Sequence, residues 1–93
     1  MRLANEQRAF LKDFLKVLSD EAKIYLFGSR VDDNKKGGDI DLLIVSKKIT
    51  KKDIRKLRIE FFKRFGEQKI DIVLYDGISE NPFVKAIKDK VLL

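Results

Sequence analysis

Three aspartates carry the chemical signal in this sequence. Asp39 and Asp41 stand at the head of the apolar run in Gly38-Asp39-Ile40-Asp41-Leu42-Leu43-Ile44. In an extended strand alternate side chains share a face, so both carboxylates point one way and Ile40 the other. Like charges held side by side repel and raise a pKa, and a hard divalent cation would supply the missing positive charge. A bare Asp-x-Asp also has a plain structural reading, with Asp39 ending the Gly37-Gly38 turn and Asp41 capping a neighbour. Asp71 is a lone carboxylate inside Lys69-Ile70-Asp71-Ile72-Val73-Leu74, where an unpaired charge is unfavourable. It could face water from an edge strand, or pair with a Lys or Arg. If its strand lies beside residues 40–45, it instead completes a three-carboxylate cluster, the oxygen donor set that magnesium takes alongside substrate phosphates and water.

A second signal precedes the pair. Tyr25-Leu26-Phe27-Gly28-Ser29-Arg30 is an apolar run ended by glycine, and nine residues, 30–38, separate Ser29 from Asp39. Gly28 lets the backbone turn tightly and approach a ligand closely. Ser29 then offers a hydroxyl and an N–H beside a helix start, a good place for phosphate, although Gly-Ser alone also occurs in ordinary turns. Arg30 and Lys36 could reach phosphate, and each also reads as a plain surface charge.

Composition narrows the chemistry. With no Cys and no His, thiolate nucleophiles, disulfides, zinc–thiolate sites and imidazole bases are excluded. The remaining carboxylates, hydroxyls, Lys, Arg and amides favour hard metals over zinc. The first residues carry no apolar signal core and no long apolar stretch follows, which predicts a cytoplasmic chain with no membrane partner. The formal charge of +6 could attract nucleic acid, an acidic partner or a triphosphate. The lysines read as dispersed, without aromatics interleaved along a basic stripe, which argues against nucleic acid.

The elements that must position these residues follow from periodicity. Residues 3–18 repeat apolar side chains every three or four positions (Leu3, Phe10, Leu11, Phe14, Leu15, Val17, Leu18), the mark of an amphipathic helix. Residues 24–27 predict a strand buried on both faces, 30–38 a loop with one helical turn, and 40–45 a second strand. Thr50 and Asp53 form a capping signal for a helix with Ile54, Leu57, Ile59, Phe61, Phe62 and Phe65, stopped by Gly66. Residues 69–74 predict the third strand. Asn81-Pro82 opens a last helix with Phe83, Val84 and Ile87 as its buried face. The apolar end Val91-Leu92-Leu93 either packs down or belongs to an element that breaks off there. At 93 residues the chain is expected to form one domain, 1–93, of the α/β (α+β) class, with a small mixed sheet of three or more strands flanked by helices.

Gly28-Ser29, nine residues, Asp39-x-Asp41 and a later aspartate in an apolar strand resemble the nucleotidyltransferase superfamily of DNA polymerase beta. The short length and the run Phe27-Gly28-Ser29-Arg30…Gly38-Asp39-Ile40-Asp41-Leu42 resemble more narrowly the minimal nucleotidyltransferases, or MNT proteins. The resemblance implies magnesium, two ions, held by Asp39, Asp41 and Asp71, with Asp71 also serving the attacking hydroxyl. It implies a triphosphate embraced by Gly28 and Ser29, AMP transferred from ATP to a hydroxyl, and a helical HEPN-type toxin as partner of this chain as antitoxin. One departure is the loop Val31-Asp32-Asp33-Asn34-Lys35-Lys36, acidic then basic, whose aspartates must point away from phosphate. The alternatives are a silent module that occludes a toxin, a homodimer formed through the uncovered apolar surface, and a nucleic-acid binder.

Overall fold

Three helix ends are set by residues the sequence marks. At Thr50 the hydroxyl accepts the Asp53 backbone N–H at 3.3 Å, and the Asp53 carboxylate accepts the Thr50 backbone N–H at 2.9 Å, so the first turn is closed reciprocally. Gly66, at φ +80°, ends the same helix with its N–H donated to the Phe62 carbonyl at 2.8 Å. Asn81 accepts the Val84 N–H at 3.2 Å, and Pro82 occupies the first helical position.

The computed structural model describes residues 3–32, 38–66 and 68–93. In chain order the elements are α1 (Asn5–Leu18), β1 (Lys23–Phe27), a 3-10 turn (Gly28–Val31), β2 (Ile40–Val45), α2 (Lys51–Phe65), β3 (Ile70–Tyr75), α3 (Pro82–Ala86) and β4 (Lys90–Leu92). The sheet has four strands in the order β3-β2-β1-β4. β1 runs antiparallel to β2 and β4, whereas β2 and β3 are parallel, joined through α2. This is a mixed α/β architecture with a mixed sheet flanked by helices. No helix among the described residues is long and apolar enough to cross a membrane.

One face of the sheet makes the core. Ile24, Leu26, Ile40, Leu42, Ile44 and Ile70 alternate onto it and are buried under Leu11 and Leu15 of α1 and Ile54, Leu57 and Phe61 of α2. Aromatic rings seal the helix pair. Phe10 meets Phe61 edge-on at 6.0 Å and Phe65 at 5.7 Å, and the Arg64 guanidinium lies over the Phe10 and Phe65 rings.

The opposite face overturns two expectations and decides a third point that the sequence leaves open. β1 is covered fully on one side only: Ile24 and Leu26 are buried, while Tyr25 and Phe27 on the other side are half exposed. α3 is a single short turn whose face is not buried; Phe83 is exposed and touches Phe27 edge-on at 6.4 Å. The chain end packs down as a fourth strand, with Leu93 in the core and its N–H donated to the Ile24 carbonyl at 2.8 Å. Because β3 and β4 are opposite edges, the segment joining them must cross the sheet. Gly77 lies beside Val45 of β2 and Phe83 beside Phe27 of β1, so it crosses on the face that α1 and α2 leave open. Some apolar residues in the helical patterns also fall outside the buried stripes, since Val17, Ile59 and Phe62 are exposed.

Candidate active site

The register of the parallel pair places Asp41 directly opposite Asp71, and that of the antiparallel pair places Phe27 opposite Asp41. Strand alternation sends both carboxylates to the open face, since their neighbours Ile40, Leu42, Ile70 and Ile72 pack on the helix side. Both are half-buried. Asp39 precedes β2, and the Ile40 N–H bonded to the Lys69 carbonyl at 3.0 Å draws the approaches to β2 and β3 together at that point.

Electrostatics records the crowding. Burial pushes the Asp41 carboxyl above its ordinary value, the Asp71 and Asp39 charges push it further, and Lys69 partly offsets them. Lys69 Nζ also pairs with Asp39 Oδ2 at 3.5 Å. Among the described residues no group of three or more such side chains stands close enough to hold a metal ion. Asp41 feels the charge of both other acids, and Asp39 leans on Lys69.

The glycine–serine bend closes on these acids from the β1 side. Gly28 has φ +77°, and a Cβ there would collide with Asp41 Oδ2, so only glycine lets the backbone reach this carboxylate. Gly38, at φ +91°, meets Ser29 Oγ in the same way. Ser29 therefore sits between the end of β1 and the entry to β2. Arg30 ties the bend down, donating Nε to the Gly38 carbonyl at 3.4 Å and Nη2 to Gln68 Oε1 at 3.1 Å, so it links the approaches to β2 and β3. Asp32 is exposed. Lys36 and Asp33, weighed for or against phosphate from the sequence, lie outside the described residues.

Sequence reasoning missed Lys69 and Gln68. Both sit in the turn before β3, and only the parallel pairing reveals that this turn meets Asp39 and Arg30. It also missed a cleft of about 440 Å³ beside Gly28 and Ser29, walled on the far side by Phe83, Ile87, Lys88 and Asp89. Its far wall is the α3–β4 turn, which exists because the chain returns as β4.

The donor chemistry fits a hard divalent cation. The oxygens are carboxylates, the Asp41 carboxyl is raised by burial and by like charge, and a bare glycine backbone lies against it. A family model described as a nucleotidyltransferase domain matches residues 6–93. A comparison with curated proteins finds no match.

Proposed function

The chain belongs to the nucleotidyltransferase domain family, and from that premise we propose that it transfers AMP from ATP to a hydroxyl with the help of magnesium. The observation that supports this reading best is the register pair of Asp41 and Asp71, with Asp41 raised by burial, Asp71 and Asp39 beside the Gly28 backbone. Asp39, Asp41 and Asp71 are the residues that would hold magnesium, two ions by the family resemblance. When bound, magnesium supplies positive charge to the attacking and leaving oxygens of an in-line displacement. Such transfers rest on positioning and electrostatics, so a chain without His or Cys can perform them.

In this proposal Gly28 and Ser29 seat the triphosphate, Ser29 through its hydroxyl and N–H. Arg30 holds the bend in shape and adds positive charge beside it. Asp71 orients the acceptor hydroxyl and accepts its proton as the oxygen attacks the α-phosphorus and pyrophosphate departs. Asp39, now beside Lys69 Nζ at 3.5 Å, would be a ligand of the ion.

The acceptor is proposed to lie on a helical partner protein of the HEPN type, with this chain acting in the cytoplasm as the antitoxin. Phe83, Leu92 and Ile78 support a protein partner, since they leave large apolar side chains exposed. The test is incubation with labelled ATP, magnesium and the candidate partner. Label is expected on the partner with the wild type and at least about a thousandfold less with Asp41→Asn, the loss of several kcal/mol of charge stabilisation. Equal labelling by both proteins would remove the mechanism.

A further inference from the structure

We propose that the outward face of α2 is a docking surface for single-stranded nucleic acid. Seven basic residues against two acidic ones give α2 a net charge of +5, against +6 for the whole chain. The basic charge that reads as dispersed is therefore concentrated on one element. On the helix, Lys51, Arg55, Arg58 and Phe62 follow one another at spacings of four, three and four, which is a single stripe. Lys52, Lys56, Ile59 and Lys63 form the adjoining stripe. All eight are exposed, because Ile54, Leu57 and Phe61 take the inward face.

Two features separate this face from an ordinary solvated surface. A network serving stability would intersperse anions, yet Asp53 is occupied in the Thr50 cap and, among the described residues, Glu60 pairs with Lys63 alone, at 3.6 Å. Lys51, Lys52, Arg55, Lys56 and Arg58 are in no ion pair among the described residues. Five cations spread over about 10 Å of helix, at about 1.5 Å per residue, cover the length that about four successive phosphates of one strand span at roughly 3.4 Å each. Lys51, Arg55 and Arg58 also rim a shallow cleft with Ile54, a seat for a phosphate or sugar.

Flat groups favour a polynucleotide over an acidic peptide. Phe62 is 56% exposed and continues the stripe of Arg55 and Arg58, whose guanidinium planes also stack on bases. Carboxylates of a peptide would have no use for that ring. The surface lies across the core from Asp41 and Asp71, so it can hold a strand whatever happens at those acids.

The experiment is fluorescence anisotropy of a labelled fifteen-residue oligouridylate with the full chain, over a salt series. Binding is expected with a Kd on the order of 10 µM near physiological salt, and log K should fall against log salt with a slope of about −2.8 for about four neutralised phosphates. Lys51→Ala/Arg55→Ala/Arg58→Ala is expected to weaken binding at least about tenfold and to shrink the slope by roughly 2. Phe62→Ala should weaken it by about fivefold or more and leave the slope unchanged. Lys12→Ala/Lys16→Ala/Lys23→Ala, matched in number but off α2, should bind as the wild type does, and so should Asp41→Asn. Far-UV circular dichroism checks each fold, and if the α2 triple variant is unfolded the three single substitutions decide through their slopes. Three results would each overturn the proposal: no binding, equal loss in the matched control, or equally strong competition by an oligoglutamate of the same charge, which would make the partner an acidic protein.

Discussion

Asp41 is asked to remain charged where its surroundings oppose charge. Its carboxyl is raised by burial and by Asp71 and Asp39, so the folded chain binds a proton there more readily than the unfolded chain. The stability linked to that proton is present below the ordinary Asp value of about 3.9 and is lost as pH rises through the raised one. Asp41→Asn removes the repulsion, so without metal it is expected to melt above the wild type at neutral pH. The gap should close as pH falls towards about 4, and thermal melts across that range in chelator check it. Gly28 supplies the complementary prediction. Gly28→Ala forces a side chain into a left-handed backbone and onto Asp41 Oδ2, with a loss of about 1–3 kcal/mol in denaturant unfolding and of nucleotide binding by calorimetry. Both acids of the register pair were legible, since alternation and an apolar context single out Asp41 and Asp71. Lys69 was not, because its partner Asp39 lies far away in sequence and only strand pairing joins them.

Elements are tied together at the far end of the strands by Glu21. Its Oε1 accepts the Ser46 hydroxyl at 2.6 Å and the Ser19 hydroxyl at 2.7 Å, while Ser46 Oγ accepts the backbone N–H groups of Lys48 and Ile49. The turn after α1 is thereby fastened to the turn before α2. These hydroxyls, Ser46 first, hold the Glu21 carboxyl below its ordinary range. The stability so linked is present above the ordinary Glu value of about 4.3 and is lost as pH falls through the depressed one. Glu21→Gln should flatten the acid limb of a stability–pH curve below about pH 5 while leaving the neutral limb's slope as it is. Thr50, Gly66 and Asn81 announced their helix ends because caps are local chemistry. β4 was not announced as a strand, since three residues carry too little periodicity to distinguish a strand from a frayed end. The same omission hid the exposure of α3, whose place is set by the return to β4.

The whole molecule keeps one side of its sheet for the core and leaves the other thinly covered. Ile78 is 70% exposed, Phe83 56% and Leu92 55%. A chain with so much uncovered apolar surface is expected to associate. Native mass measurements should show a heavier species when the chain is mixed with the candidate helical partner than when it stands alone. A dimer of the chain alone, unchanged by the partner, would transfer the interface to self-association, and a monomer throughout would remove it. Periodicity revealed which strands and helices exist but not which face stays bare, because that depends on the order in which edges are joined.

Parallel pairing of β2 and β3 has a consequence for how mistakes in folding are policed. Side chains swap faces with every residue along a strand, so slipping β3 by a single position would turn Asp71 into the oily layer beneath the helices and bring Ile70 or Ile72 up beside Asp41. The penalty for a buried acid therefore acts as a ratchet against misthreading. The residue proposed to do the chemistry also proofreads the alignment that brings it to its partner.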